Sequence, residues 1–238
     1  MIPLKSDNPL ASIPGVNVLL IVVNFLVFFY ELSLSPRAGN HLIFQYGLIP
    51  ARFAAVMGPS ASAHAAHVAL GPVALPLLTC MFLHAGWLHI LGNMLFLWVF
   101  GGSVEDRMGH FGYMVFYLVC GVGAGAVHTA INWGSKVPTI GASGAISGVM
   151  GAYIVLFPRS RILTLVPLLI FFFFWRIPAV LMLGYWFVLQ LVGALSSVSG
   201  ADQGGVAVWA HVGGFLIGAI LVLLFLSGHR RDRSQAAY

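Results

Sequence analysis

Apolar residues gather into six runs along the chain, at 15–30, 86–102, 111–131, 139–158, 179–195 and 206–226. A hydrocarbon layer about 30 Å thick takes roughly 20 helical residues to cross, whereas a barrel strand alternates polarity over about ten, so runs of this length predict helices. The first run is long for the apolar part of a signal peptide and reads as a span. Between the first and second, residues 31–79 carry Pro36, Pro50, Pro59, Pro72 and Pro76 and only a short apolar piece at 52–56. That connection is too broken to cross a bilayer, and its apolar content predicts packing on the membrane surface. Residues 162–175 are apolar but short and interrupted by Pro167, which predicts an interfacial hairpin before the fifth span. The expected fold is therefore an all-α polytopic membrane protein: a tail at 1–14, a six-helix membrane domain at 15–226 with a long loop between helices 1 and 2, and a basic tail at 227–238.

Composition agrees, with 60% hydrophobic and 7% charged residues and a mean hydropathy of +0.97, against roughly 25% charged in soluble domains. In such a chain a net charge of +5 marks cytoplasmic loops and contact with anionic lipid, not nucleic acid. With the amino terminus inside, the inner loops hold Lys5, Arg107, Arg159, Arg161, Arg176, Arg230, Arg231 and Arg233, and the outer loops only Arg37, Arg52 and Lys136. These eight and three make up all 11 basic residues. The expectation is a multi-pass protein of a cell (inner) membrane, both termini cytoplasmic and the long loop outside. Cys80 and Cys120 lie in apolar surroundings and read as small hydrophobes.

Under that topology the second, fourth and sixth helices descend from the outer face, and each carries a polar residue a few positions in: His89, Ser143 and His211. At about 1.5 Å per residue these lie roughly 5 to 8 Å below the outer helix ends. Asn93 follows His89 by four and shares its face. Ser143 stands in Gly141-Ala142-Ser143-Gly144, about one turn into the fourth helix, where unpaired backbone N–H groups favour a developing oxyanion. Gly144 with Gly148 and Gly214 with Gly218 form two small-xxx-small pairs, which predict close contact of the fourth and sixth helices. Each group also has a plainer reading, as a packing serine, a satisfied histidine or an interhelical asparagine. His41, His64, His67 and His229 read as loop residues and His128 as interfacial. Glu105, Asp106 and Arg107 read as a solvated or structural inner cluster, Asp202 as a loop carboxylate rather than a partner of His211, and glycine-rich 197–205 as a cap over the site.

Taken together, His84 with His89-Ile90-Leu91-Gly92-Asn93, Gly141-Ala142-Ser143-Gly144 and Ala210-His211-Val212-Gly213-Gly214 resemble the rhomboid intramembrane serine proteases over most of the chain. The resemblance implies a six-helix core with Ser143 as nucleophile and His211 as general base, a dyad without a carboxylate. It implies oxyanion donors at His89, Asn93 and the Ser143 N–H, with His84, Gly141, Gly144 and Ser147 supporting the site. It also implies membrane-spanning protein substrates cut near their outer ends, with no cofactor and no metal. Many members carry a tyrosine four residues after the nucleophile, packed on the catalytic histidine, where this chain has Ser147; the Trp-Arg pair of some outer loops is also absent. Two other functions fit parts of the pattern. One is a metal-handling transporter with His84, His89 and His211 as ligands; the other is a rhomboid-like protein that binds transmembrane clients without cutting them.

Overall fold

A computed structural model describes residues 1–58, 71–168, 171–198 and 207–235. In chain order it contains strand β1 (Ile2–Ser6), helices α1 (Gly15–Ser33), α2 (Pro36–Tyr46), α3 (Pro50–Met57) and α4 (Pro76–Thr79), a 3-10 turn (Cys80–Phe82), α5 (Trp87–Met108), α6 (His110–Ile131), α7 (Ser143–Leu156), strands β2 (Arg161–Leu168) and β3 (Phe171–Pro178), and helices α8 (Ala179–Val198) and α9 (Val208–Gln235). His64, His67, Asp202 and residues 199–205 of the expected cap lie outside the described residues.

Among the described residues five helices are long and apolar enough to cross a membrane: Gly15–Ser33, Trp87–Met108, His110–Ile131, Ala179–Ser196 and Val208–Ser227. The fourth apolar run forms a shorter helix of 14 residues, about 21 Å long. Its start is set by Gly141, whose φ of +120° is open to glycine and strained for other residues. Ser143 therefore opens α7 rather than lying a turn inside it. Every residue from Gly144 to Tyr153 is buried, so α7 is the hub on which the longer helices pack.

The most extensive of its contacts is with α9. A Cβ on Gly214 would collide with the Gly144 carbonyl oxygen, and one on Gly218 with the Gly148 carbonyl oxygen, so both predicted glycine pairs meet backbone to backbone. In lipid, where apolar side chains gain little by leaving their solvent, such close approach is what holds helices together.

At the opposite end of α7 the membrane helices carry a feature absent from the all-α expectation. The apolar piece 162–175 does form a hairpin, β2 and β3, and the amino-terminal β1 pairs antiparallel with β2 to complete a three-stranded sheet. Asp7 Oδ1 accepts from the Ser160 hydroxyl (2.5 Å) and the Arg161 N–H (2.9 Å). The Tyr153 hydroxyl meets Ser6 Oγ at 2.6 Å and Ser160 Oγ at 2.9 Å. The acidic pair at the end of α5 is structural too. Buried Glu105 accepts from the Val16 and Asn17 N–H groups that open α1, and Asp106 accepts from the Ala11 and Ser12 N–H groups and the Ser12 hydroxyl. A carboxylate at a helix amino terminus meets unpaired donors and the positive end of the dipole.

Two measurements check this packing. Gly218→Val forces α7 and α9 apart and is expected to cost about 1–3 kcal/mol in detergent unfolding, whereas Gly184→Ala, with open space around it, stays within about 0.5 kcal/mol of the parent. The Ser160 hydrogen bond holds the Asp7 carboxyl below its ordinary value of 3.8. Its contribution is thus complete at neutral pH and lost as pH falls below about 4, so hydrogen exchange in residues 2–6 should accelerate there, and Asp7→Asn should abolish that pH response.

Candidate active site

The segment leading into α7 is strapped on both sides before it reaches Ser143. Leu48 and Thr139 exchange backbone hydrogen bonds of 3.0 and 2.8 Å, and the Gly141 N–H donates to the Cys80 carbonyl at 2.8 Å. The Thr139 hydroxyl lies 3.0 Å from His128 Nε2, which gives the expected interfacial histidine a place beside this strap. The long connection after α1 is therefore not a detached loop: Leu48, between α2 and α3, holds the serine segment. Thr79 ties α4 back to the same region by donating to the Tyr46 carbonyl at 2.7 Å.

Ser143 Oγ lies 2.7 Å from His211 Nε2. Both side chains are half-buried and both sit in the first turn of their helices, α7 and α9. The close approach at Gly144 and Gly214, immediately beyond, brings these helix ends together. Ser147 does not face the imidazole: its hydroxyl donates to the Ser143 carbonyl at 2.6 Å, a bond along its own helix. The aromatic partner of His211 comes instead from α8, where the Trp186 ring lies 5.9 Å from the imidazole at 39°. One turn further on, Gln190 Oε1 lies 2.7 Å from His211 Nδ1.

His89 and Asn93, on one face of α5, converge on the other side of the serine segment. His89 Nε2 would stand 2.6 Å from a Cβ on Gly141 and Asn93 Nδ2 3.6 Å from it, so any side chain there would occupy the space they use. The Ala85 N–H points at His89 Nδ1 (3.4 Å), which places the ring proton on Nε2, the nitrogen turned toward Gly141. His84 backs this pair. It is buried, its ring is 5.0 Å from His89, and its Nε2 is 3.0 Å from Asn93 Nδ2. Burial, and after it the neighbouring His89, push the His84 imidazole down to about 4, so the ring is neutral and Nε2 accepts from the Asn93 amide. The two carboxylate oxygens of Glu31, near the end of α1, accept from the His84 N–H at 3.1 and 3.4 Å and fix the entry to α5.

All eight residues singled out in the sequence, His84, His89, Asn93, Gly141, Ser143, Gly144, Ser147 and His211, thus gather around the start of α7. Trp186 and Gln190 belong to the same cluster and were not foreseen. The available signal was a glutamine, with a tryptophan four residues before it, inside an apolar span that otherwise lacks amide and charged side chains. Among the described residues no three His, Cys, Asp or Glu side chains are grouped to hold a metal ion.

Comparison with known proteins places the chain. A family model described as the Rhomboid domain matches residues 73–228, more than half of its length. Rhomboid-like protein 11, chloroplastic, of Arabidopsis thaliana is 36% identical over 155 residues, covering 61% of this chain and 50% of that protein. Rhomboid protein 1, mitochondrial, of Saccharomyces cerevisiae is 30% identical over 172 residues, covering 66% and 44%. RHOMBOID-like protein 6, mitochondrial, of Arabidopsis thaliana is 29% identical over 166 residues, covering 68% and 48%. The chain spans about half the length of these relatives. With the motif residues gathered at one helix start and the family model spanning α4 to α9, the chain belongs to the rhomboid family of multi-pass membrane proteins.

Proposed function

We propose that this protein is an intramembrane serine endopeptidase that hydrolyses peptide bonds in or near transmembrane segments of other membrane proteins. The observation that carries the reading is the 2.7 Å contact between Ser143 Oγ and His211 Nε2 at two helix ends. A serine hydroxyl is a poor nucleophile until a neutral imidazole takes its proton. In the proposed reaction Ser143 Oγ attacks the scissile carbonyl carbon while its proton passes to His211 Nε2. The carbonyl oxygen becomes an oxyanion beside the Ser143 N–H, His89 Nε2 and the Asn93 amide, donors on the rim of Gly141. The C–N bond then breaks, and the departing amine leaves with the proton from Nε2. Water, deprotonated by the same imidazole, frees the acyl group in a second round, so no cofactor or metal is called for.

The same reading places the site toward the outer surface, both termini in the cytoplasm and the chain in a cell (inner) membrane, on the distribution of Lys and Arg. The relatives named for chloroplasts and mitochondria extend the family to organelle membranes. Substrate helices must unwind locally to offer a peptide bond, which favours segments with small or helix-breaking residues near their outer ends.

The reading is tested with a single-span substrate in liposomes, alongside labelling by a fluorophosphonate, which reacts with activated serines. Ser143→Ala and His211→Ala are expected to lose cleavage by at least about 10³-fold, and a chelator should leave the parent unaffected. Cleavage surviving in both variants would sink the mechanism, and binding of transmembrane clients with no cutting by any form would favour the client-binding alternative. His89→Ala and Asn93→Ala are each expected to lower kcat about 10²- to 10³-fold while the protein keeps its unfolding midpoint.

A further inference from the structure

A neutral imidazole has one ring proton, and the chemistry assigned to His211 needs it on Nδ1, leaving the Nε2 lone pair for the Ser143 hydroxyl. In a low-dielectric interior that tautomer persists only where Nδ1–H finds an acceptor, because an unpaired donor there is costly. Nδ1 faces the Gln190 side chain, whose oxygen is an acceptor only, at 2.7 Å. The amide has an equally clear need. Gln190 sits in a span with no Asp, Glu, Lys or Arg and a mean hydropathy of 1.8, where an amide is expensive unless hydrogen-bonded. Each group answers the other's requirement.

We infer that Gln190 is a positioning residue for His211, a neutral third member that fixes the tautomer and direction of the imidazole, with Trp186 holding the ring from its face. This rests on the protease reading of Ser143 and His211 and extends it to α8. Trp186 and Gln190 are four residues apart and share one helical face. That face is docked on α9 by the stack of Phe187 on Phe215 (4.6 Å) and by Trp186 against Phe215 (6.2 Å). The pair fills the role that Ser147 leaves open, since the Ser147 hydroxyl is spent on the Ser143 carbonyl. An amide carries no net charge, so Gln190 orients the base without the Coulombic help an aspartate gives to the imidazolium.

The test compares Gln190→Met, which keeps the length and removes the acceptor, with Gln190→Glu, which keeps an acceptor in place. Gln190→Met is expected to lower kcat about 10- to 100-fold with KM and the unfolding midpoint unchanged, and Gln190→Glu to stay within about threefold of the parent. Independently of turnover, ¹⁵N spectra of histidine-labelled protein in liposomes, assigned by subtraction of His211→Ala, should show His211 protonated at Nδ1 in the parent and in Gln190→Glu, and redistributed toward Nε2–H in Gln190→Met. Unchanged kcat and tautomer in Gln190→Met would overturn the assignment. So would equal loss in both variants, which would mean that the site needs the glutamine's shape and not its acceptor. If the parent itself cuts nothing, the protease reading fails, and the tautomer spectra still decide whether Gln190 sets the imidazole.

Discussion

The contact on which the rest of the molecule depends is the glycine-to-glycine approach of α7 and α9. Gly214 and Gly218 lie against the Gly144 and Gly148 carbonyl oxygens, which stand where side chains would otherwise be, while the bare faces of Gly144 and Gly148 meet Ala124 and Cys120 of α6. Helices separated by ordinary side chains sit about 8–10 Å apart, and bare glycines let two helices approach more closely than that. Removing the Cβ atoms draws the axes together and places Ser143 Oγ within 2.7 Å of His211 Nε2. Packing and the polar contact therefore draw on the same glycines, and the polar pair occupies the end of the seam instead of its middle.

A second constraint is that the serine segment must enter α7 along one path. Gly141, with its positive φ, turns the chain beneath His89 and Asn93, while Leu48 and Cys80 hold the preceding backbone from either side. These straps come from the stretch between α1 and α5. The other end of the molecule is held differently. There carboxylates do the work, Asp7 closing the sheet onto Ser160 and Glu105 and Asp106 closing α5 onto the start of α1. Asp7, Glu105 and Asp106 thus lie at the end away from the serine, whereas the Glu31 carboxylate stands behind His84 at the site's own end.

That separation explains what could be read from the chain alone. The spans were legible because hydrocarbon demands long apolar runs, and the site because His89, Asn93, Ser143 and His211 interrupt such runs at matching depth. The β1 strand was not legible: five residues of mixed polarity acquire a strand only by pairing with β2, more than 150 positions away, and no local pattern announces that partner. The start of α7 was misplaced by a turn because Gly141 reads as permissive in sequence, and only its φ reveals that the helix cannot begin before it. Ser147 stood out as a departure from the family, yet its consequence lay on another helix.

That consequence concerns how an imidazole is held. A ring with two nitrogens can rotate about its side-chain bonds and exchange tautomers, and either change removes the lone pair from the serine. Where a tyrosine on the nucleophile's own helix packs against the histidine, the ring is constrained from α7. Here the constraint arrives from α8, through Trp186 on its face and Gln190 at Nδ1. Ser143 and His211 are held to each other by the α7–α9 seam, whereas Trp186 and Gln190 reach the imidazole from a helix whose exposed face is largely apolar and whose contacts with α9 include those of Trp186 and Phe187 with Phe215. On that assignment the orientation of His211 is only as secure as the seating of α8, which makes the aromatic contact between Phe187 and Phe215 part of the support of the site.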